Sequence, residues 1–318
     1  MKWKKTLSAA AFILGTAGFA AAWQQCLFFL AQQNDPEKPE QFYLWHQNRI
    51  HYKKSGQGPP ILLLHSLCPG ASHREFSAII QQLSKHFTVY RPDLLGYGFS
   101  DCPKITYTSY TDACMIQDFI ANVIQAPCFA LGVNGSATAL TVAAALDPTK
   151  FRRLFLLSPT GITDPVAQNR DRLIQRILEL PFYGTMKYLS AVSRRKIAYF
   201  LKKDGFYAPE KVTKELVDQF YFPSHSANTA ARFSYASQKA HFRTMTFLPF
   251  FQKLTVPYAI GWGEENKENP IENMAMLEKL HPEKPYYIFE KTRLFPHLEN
   301  PAAFSQLLQQ EMKEKKLE

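Results

Sequence analysis

Apolar and polar positions alternate along this chain in one regular rhythm that is interrupted once. Two short aromatic and β-branched runs, "FYLW" and "RIHYKKSG", split by "HQN", predict an antiparallel strand pair. The next run, "PPILLLHS", is continuously apolar and ends in polar residues, as a strand buried on both faces reads. "EFSAIIQQLSKHF" then carries apolar residues at helical spacing, "TVYRPDLLGYGFSD" is a strand running into a glycine-rich loop, and "YTDACMIQDFIANVI" is again amphipathic. "CFALGV" reads as strand, "SATALTVAAALDP" as helix and "RRLFLLSPTG" as strand. Strands alternating with helices predict an α/β fold with a mostly parallel sheet covered on both sides.

The rhythm stops between about Thr163 and Phe250, where helical patterns run on without strand signals. That stretch is rich in aromatics and has basic clusters at Arg194, Arg195, Lys196 and at Lys202, Lys203. It predicts a helical cap inserted into the sheet domain. The rhythm resumes with "VPYAIGWGEEN", a helix around "IENMAMLEKL", the strand "PYYIFE" and a last helix from "NPAAFSQLLQQEM". The expected organisation is a first core segment over 34–162, the lid insertion over 163–250 and a second core segment over 251–318.

The amino terminus follows a different rule. "MKWKK" sets three lysines ahead of the uncharged "TLSAAAFILGTAGFAAAW", which reaches bilayer-spanning length if it continues through "CLFFL" to Leu30. The expectation is a membrane anchor or signal segment over residues 1–33, followed by a polar linker from Asn34 to Glu40. Lysines before the span and acids after it predict a cytoplasmic amino terminus and a main domain on the non-cytoplasmic side. The small residues Ala20 to Ala22 offer the alternative of signal cleavage and export.

Composition narrows the partners. The net charge of +10 comes from 37 basic residues scattered among 27 acidic ones, so it forms no nucleic-acid footprint and favours a membrane surface. The basic and aromatic stretch from Arg170 to Lys203 is the segment expected to meet anionic lipid. Five cysteines without CxxC spacing argue against a disulfide framework and a zinc site, and no cofactor is expected.

Six strings in order, "ILLLHS", "DLLGYGFSD", "LGVNGS", "SPTG", "WGEEN" and "FPHLENP", resemble the α/β-hydrolase fold family over roughly Phe42 to Met312, helical lid included. The resemblance implies a nucleophile elbow of the form G-x-Nuc-x-G, here Gly132, Val133, Asn134, Gly135, Ser136. The tip is Asn134, which has no hydroxyl or thiol to deprotonate. The family's acid position falls on Asn266, with Glu264 and Glu265 facing away, and its histidine position on Leu294. The surrogates within reach are His297, Ser136 or Ser66 as a hydroxyl, and Asp164 as an alternative acid. The oxyanion hole, made by the backbone N–H groups of Leu67 and Gly135, needs only backbone and is expected to remain. The implied function is a membrane-associated pseudo-hydrolase that binds a small acyl or carbonyl ligand or scaffolds a partner. The alternative is an active ester or acyl hydrolase with a rearranged site; a lyase or cofactor-free oxygenase is the third class.

Overall fold

The computed structural model describes residues 22–163 and 170–312. Strands β1 (Phe42–Trp45) and β2 (Asn48–Ser55) form the expected antiparallel pair. They lead into β3 (Pro60–Leu64), β4 (Thr88–Pro92), β5 (Cys128–Val133), β6 (Phe151–Leu157), β7 (Tyr258–Gly263) and β8 (Tyr286–Phe289). The eight strands lie in the order β1-β2-β4-β3-β5-β6-β7-β8, and every pairing from β4 to β8 is parallel. Strand β5 is buried at every position, because helices cover both faces and no solvent side remains for polar residues.

Helices α2 (Ser77–Leu83), α3 (Ser109–Phe119) and α4 (Gly135–Leu146) fall where the 3.6-residue period places them. Between β6 and β7 the chain is helical, as expected of a cap: α5 (Arg172–Glu179), α6 (Pro181–Ala191), α7 (Arg194–Phe200), α8 (Lys214–Ser224), α9 (Ala231–Lys239) and α10 (Leu248–Phe251). The sheet domain closes with α11 (Glu272–Leu280), α12 (Pro296–Glu299) and α13 (Pro301–Glu311).

The amino-terminal reading needs correction at its carboxyl-terminal end. Residues 22–34 form a helix, α1, and its Gln24, Phe28 and Ala31, one face at i, i+4 and i+7, are buried. Phe28 stacks on Tyr188 with ring centroids 6.4 Å apart, Gln24 donates to the carbonyl of Phe182, and Gln32 donates to the carbonyls of His225, Ser226 and Ala227. The last part of the expected span is therefore docked on the cap. Among the described residues no helix is long and apolar enough to cross a membrane, and residues 1–21 lie outside them.

The expected linker is tied down as well. Asp35 is buried against the Arg74 guanidinium at 2.8 Å, and Glu37 accepts from Arg74 Nε at 2.7 Å and lies 3.1 Å from His73 Nε2 and Lys53 Nζ. The other face of His73 meets Asp93, whose carboxylate also takes the His51 ring nitrogen at 2.8 Å and the N–H groups of His73 and Phe99. With carboxylates on both ring nitrogens, the His73 pKa is raised despite its burial, and those of Asp93 and Glu37 are lowered.

His225 gives the α1 contact a pH dependence. Burial pushes its pKa down to about 4; the Tyr221 carbonyl opposes that shift and Arg194 adds to it. A folded-state value below the ordinary 6.5 means that the stabilisation is intact above about pH 6.5 and is lost as the pH falls toward 4. The protection of α1 against hydrogen exchange, relative to the unfolded chain at the same pH, is expected to fall across that interval, and His225→Gln to remove the fall. An unchanged profile in the variant would assign it to another group.

Candidate functional site

The carboxyl ends of β3, β5, β6 and β7 carry the positions at which chemistry is expected. At the end of β5 the chain turns sharply into α4 through Asn134, which adopts φ 53° and ψ −118°, a sparsely populated conformation for a residue with a side chain. Its N–H donates to the Leu157 carbonyl at 2.8 Å, and its own carbonyl accepts from Ala137 at 3.0 Å. The neighbours are small because the turn is tight. A Cβ on Gly132 would stand 2.6 Å from Ala137 Cα, and one on Gly135 would stand 2.6 Å from Leu67 Cδ1. The strained turn is thus retained with an amide at its tip. Asn134 is only 7% exposed, and its Oδ1 is buried without a partner.

Gly135 opens α4, so its N–H is among those with no acceptor inside the helix, and it lies against the Leu67 side chain of the loop after β3. That pairing brings the two expected oxyanion-hole residues together. The carbonyl of Leu67 is meanwhile taken by two groups missed in the sequence, Tyr97 Oη at 2.7 Å and Gln238 Nε2 from the cap. Tyr97 and Gln238 also bond each other at 2.8 Å. These contacts latch the cap to the loop; neither residue carries a recognisable sequence signal.

Ser136 is fully buried, and its hydroxyl is spent inside the elbow: it donates toward Leu64 and Val133 carbonyls and accepts from the Val133 N–H at 2.9 Å. Its geometry is that of a turn brace. Ser66 donates to Glu75 Oε2 at 2.6 Å, and its N–H also lies on the Glu75 carboxylate. His297 Nε2 stands 3.4 Å from Glu75 Oε1, beyond hydrogen-bond geometry, with Phe76, Phe295 and Phe304 rings around it. The structure therefore joins Ser66, Glu75 and His297 in that order. A carboxylate sits between hydroxyl and imidazole, the reverse of a relay in which the imidazole touches the nucleophile. Glu75 was absent from the sequence reading, since nothing marks one acid in "HREF". Cys68 lies 3.0 Å from Ser66 Oγ, but burial pushes its pKa well up, away from thiolate character.

At the acid position Asn266 is buried; its Oδ1 accepts from the Asn269 N–H at 3.1 Å while its Nδ2 has no partner. Asn269 in turn donates to the carbonyls of Ser158 and Pro159, pinning the end of β6 to β7. Glu264 and Glu265 are exposed, as their register predicts. Leu294 is buried in an apolar cluster with Cys68, Leu201, Phe206, Phe220 and Phe295, and its N–H donates to the cap carbonyl of Gly205 at 3.1 Å. Leu294 is thus a cap-to-core packing contact. Asp164 lies outside the described residues.

A narrow cleft separates the cap from the loops after β3 and β4, walled by Gly70, Ala71, Tyr97, Tyr188, Tyr235 and Gln238 among others. Asn134 is not in its wall. The space is so narrow that little more than a water molecule fits free of the sides, so a larger ligand requires the cap to move. His51, His73 and Asp93 form a compact donor set of the kind that holds a metal. Both Asp93 oxygens already accept N–H groups at 2.6–3.0 Å, which is how a purely hydrogen-bonded cluster is built.

The sequence profile of a family described as alpha/beta hydrolase fold matches residues 59–301. A 2-hydroxy-6-oxo-6-(2'-aminophenyl)hexa-2,4-dienoic acid hydrolase of Metapseudomonas resinovorans is 24% identical over 80% of this chain and 84% of its own. A single-site mutant of a meta-cleavage product hydrolase, CumD, superposes with a TM-score of 0.68 at 19% identity, covering 85% of this chain and 96% of that one. A protein described as a membrane phospholipase A, a novel bacterial virulence factor, superposes with a TM-score of 0.66 at 19% identity, over 96% of this chain and 97% of that one. At these identities the solved structures share the fold.

Proposed function

We propose, from the premise that this chain belongs to the α/β-hydrolase fold family, that it is a non-hydrolytic member binding a small acyl or carbonyl ligand beneath its cap. The observation that carries the proposal is Asn134: the elbow keeps its strained backbone and small neighbours while presenting a group that cannot attack a carbonyl. Leu294, packed into the cap–core contact, removes the base, and Asn266 removes the charge that would balance an imidazolium. Buried polar atoms without partners support a ligand role once the cap moves, since none of them lines the narrow cleft. They are Asn134 Oδ1, Ser158 Oγ and Asn266 Nδ2, at the ends of the adjacent strands β5, β6 and β7. Each costs about 1–3 kcal/mol if left bare, a cost that a polar ligand group offsets.

The proposal also places the protein at a membrane, supported by the lysine-headed apolar sequence ahead of α1. The test uses the unmodified protein. An active-site fluorophosphonate is expected not to label it, p-nitrophenyl acyl esters to remain uncleaved, and a fatty acid or its ester to raise its Tm. Ligand at 100 times its Kd adds about 2.7 kcal/mol to stability. Ester turnover with labelling at Ser66 or Ser136 would establish the rearranged-hydrolase reading instead.

A further inference from the structure

We propose that the outer face of α5 and α6, together with the outer side of α1, docks on an anionic bilayer surface. Helix α5 is built inside out. Gln175 is its buried residue, donating to Thr106 Oγ1 at 2.8 Å and to Glu179 at 2.9 Å, whereas Leu173 is 68% exposed and Ile174 and Ile177 also face solvent. A surface helix ordinarily turns such an apolar stripe to the core. The stripe runs on through exposed Leu180 into Phe182, Tyr183 and Met186 of α6.

Helix α1 extends the same surface. Its inner face packs on the cap, yet Trp23 is 56% and Phe29 58% exposed, with Leu30 beside them. Gln24, next to Trp23, is bonded to the Phe182 carbonyl, so the two apolar areas meet there. A helix apolar on opposite sides requires two partners, and the cap supplies one. Contiguous exposed apolar surface of this kind marks a contact site.

Charge selects lipid as the occupant. Exposed Arg172, Arg176 and Lys187 stand among the apolar residues, and among the described residues none is ion-paired; cations interleaved with Trp, Tyr and Leu suit an anionic headgroup layer. The basic cluster further along contributes less: Arg194 is committed to Asp218 at 2.5 Å and to the Tyr221 ring.

The docking surface rests on the membrane reading above, and the experiment separates the two. The full chain carrying Cys26→Ser, Cys102→Ser and Cys114→Ser is labelled with an environment-sensitive fluorophore at Ile177→Cys or, as control, at the exposed Lys279→Cys of α11. It is then mixed with phosphatidylcholine vesicles with or without phosphatidylglycerol. A lipid-borne quencher is expected to reach the label at 177 and not that at 279, with partitioning at least about tenfold stronger into the anionic vesicles. A label at 177 that stays in water on vesicle-bound protein overturns the docking face and leaves the membrane reading standing. Failure to bind vesicles overturns both. Equal partitioning into neutral vesicles, or a label already shielded before lipid is added by a second copy or by residues 1–21, overturns the anionic docking surface.

Discussion

Asn134→Ser by itself is expected to leave ester hydrolysis at background. The new hydroxyl would stand on a strained turn beside the Gly135 N–H, but an unassisted serine is a weak nucleophile. The residue that should take its proton is Leu294, held in an apolar cluster with Phe206 and Phe295. The triple variant Asn134→Ser, Asn266→Asp, Leu294→His supplies a hydroxyl, an acid and an imidazole at the three positions that the family resemblance assigns to a relay. Aspartate at 266 can still accept from the Asn269 N–H, so that substitution is compatible with the local turn. Histidine at 294 removes packing and buries a polar ring, at about 1–3 kcal/mol, and a lowered Tm should report it. The triple variant is expected to exceed Asn134→Ser by on the order of 10²-fold, the lower end of what general acid–base assistance contributes. p-Nitrophenyl butyrate hydrolysis and fluorophosphonate labelling measure both. A gain of several orders of magnitude from Asn134→Ser alone would mean that another base, His297 first, reaches the elbow.

Arg243→Met is expected to destabilise the protein by about 3–5 kcal/mol, the usual result of stranding one member of a buried ion pair. Arg243 lies between α9 and α10 and is buried, with its guanidinium on both oxygens of Asp112 in α3 at 2.5 and 2.8 Å. It also donates to Ser234 Oγ and to the Leu95 carbonyl, and it lies over the Tyr97 and Tyr107 rings. The coulombic pull of Asp112 raises its pKa above an already high ordinary value although burial opposes it, so the charge persists at every working pH. Because this group fastens the base of the cap to the core beside the latch residue Tyr97, its loss should loosen the cap before the sheet. Urea unfolding and hydrogen exchange across α9 check it. Asp112→Leu in the same chain removes the stranded carboxylate and should recover part of the loss; no recovery would place the cost in the tyrosine contacts instead.

The sheet, the helical cap and the residue types at the elbow, Asn266 and Leu294 were legible in the chain alone, because each is written locally. Strand and helix periods repeat within a few residues, and Asn134, Asn266 and Leu294 stand inside strings whose neighbours fix their register. The chemistry at those positions needs no coordinates: neither an amide nor an isobutyl group serves as a general base. Other features were decided only by the tertiary structure, because they depend on partners distant in the chain. The apolar run through Leu30 cannot tell a bilayer from the cap, and it is the fit of Phe28 against Tyr188 and His225 that docks α1. The apolar stripe of α5 predicts inward burial, yet Gln175 finds its acceptor on Thr106, 69 residues away, and the stripe turns out. Glu75 becomes the centre of Ser66 and His297 only when β3 and α12 converge on it. Period and motif report what a segment is able to bury; which face is buried, and which polar group finds a partner, is settled by the surfaces that meet it when the chain closes.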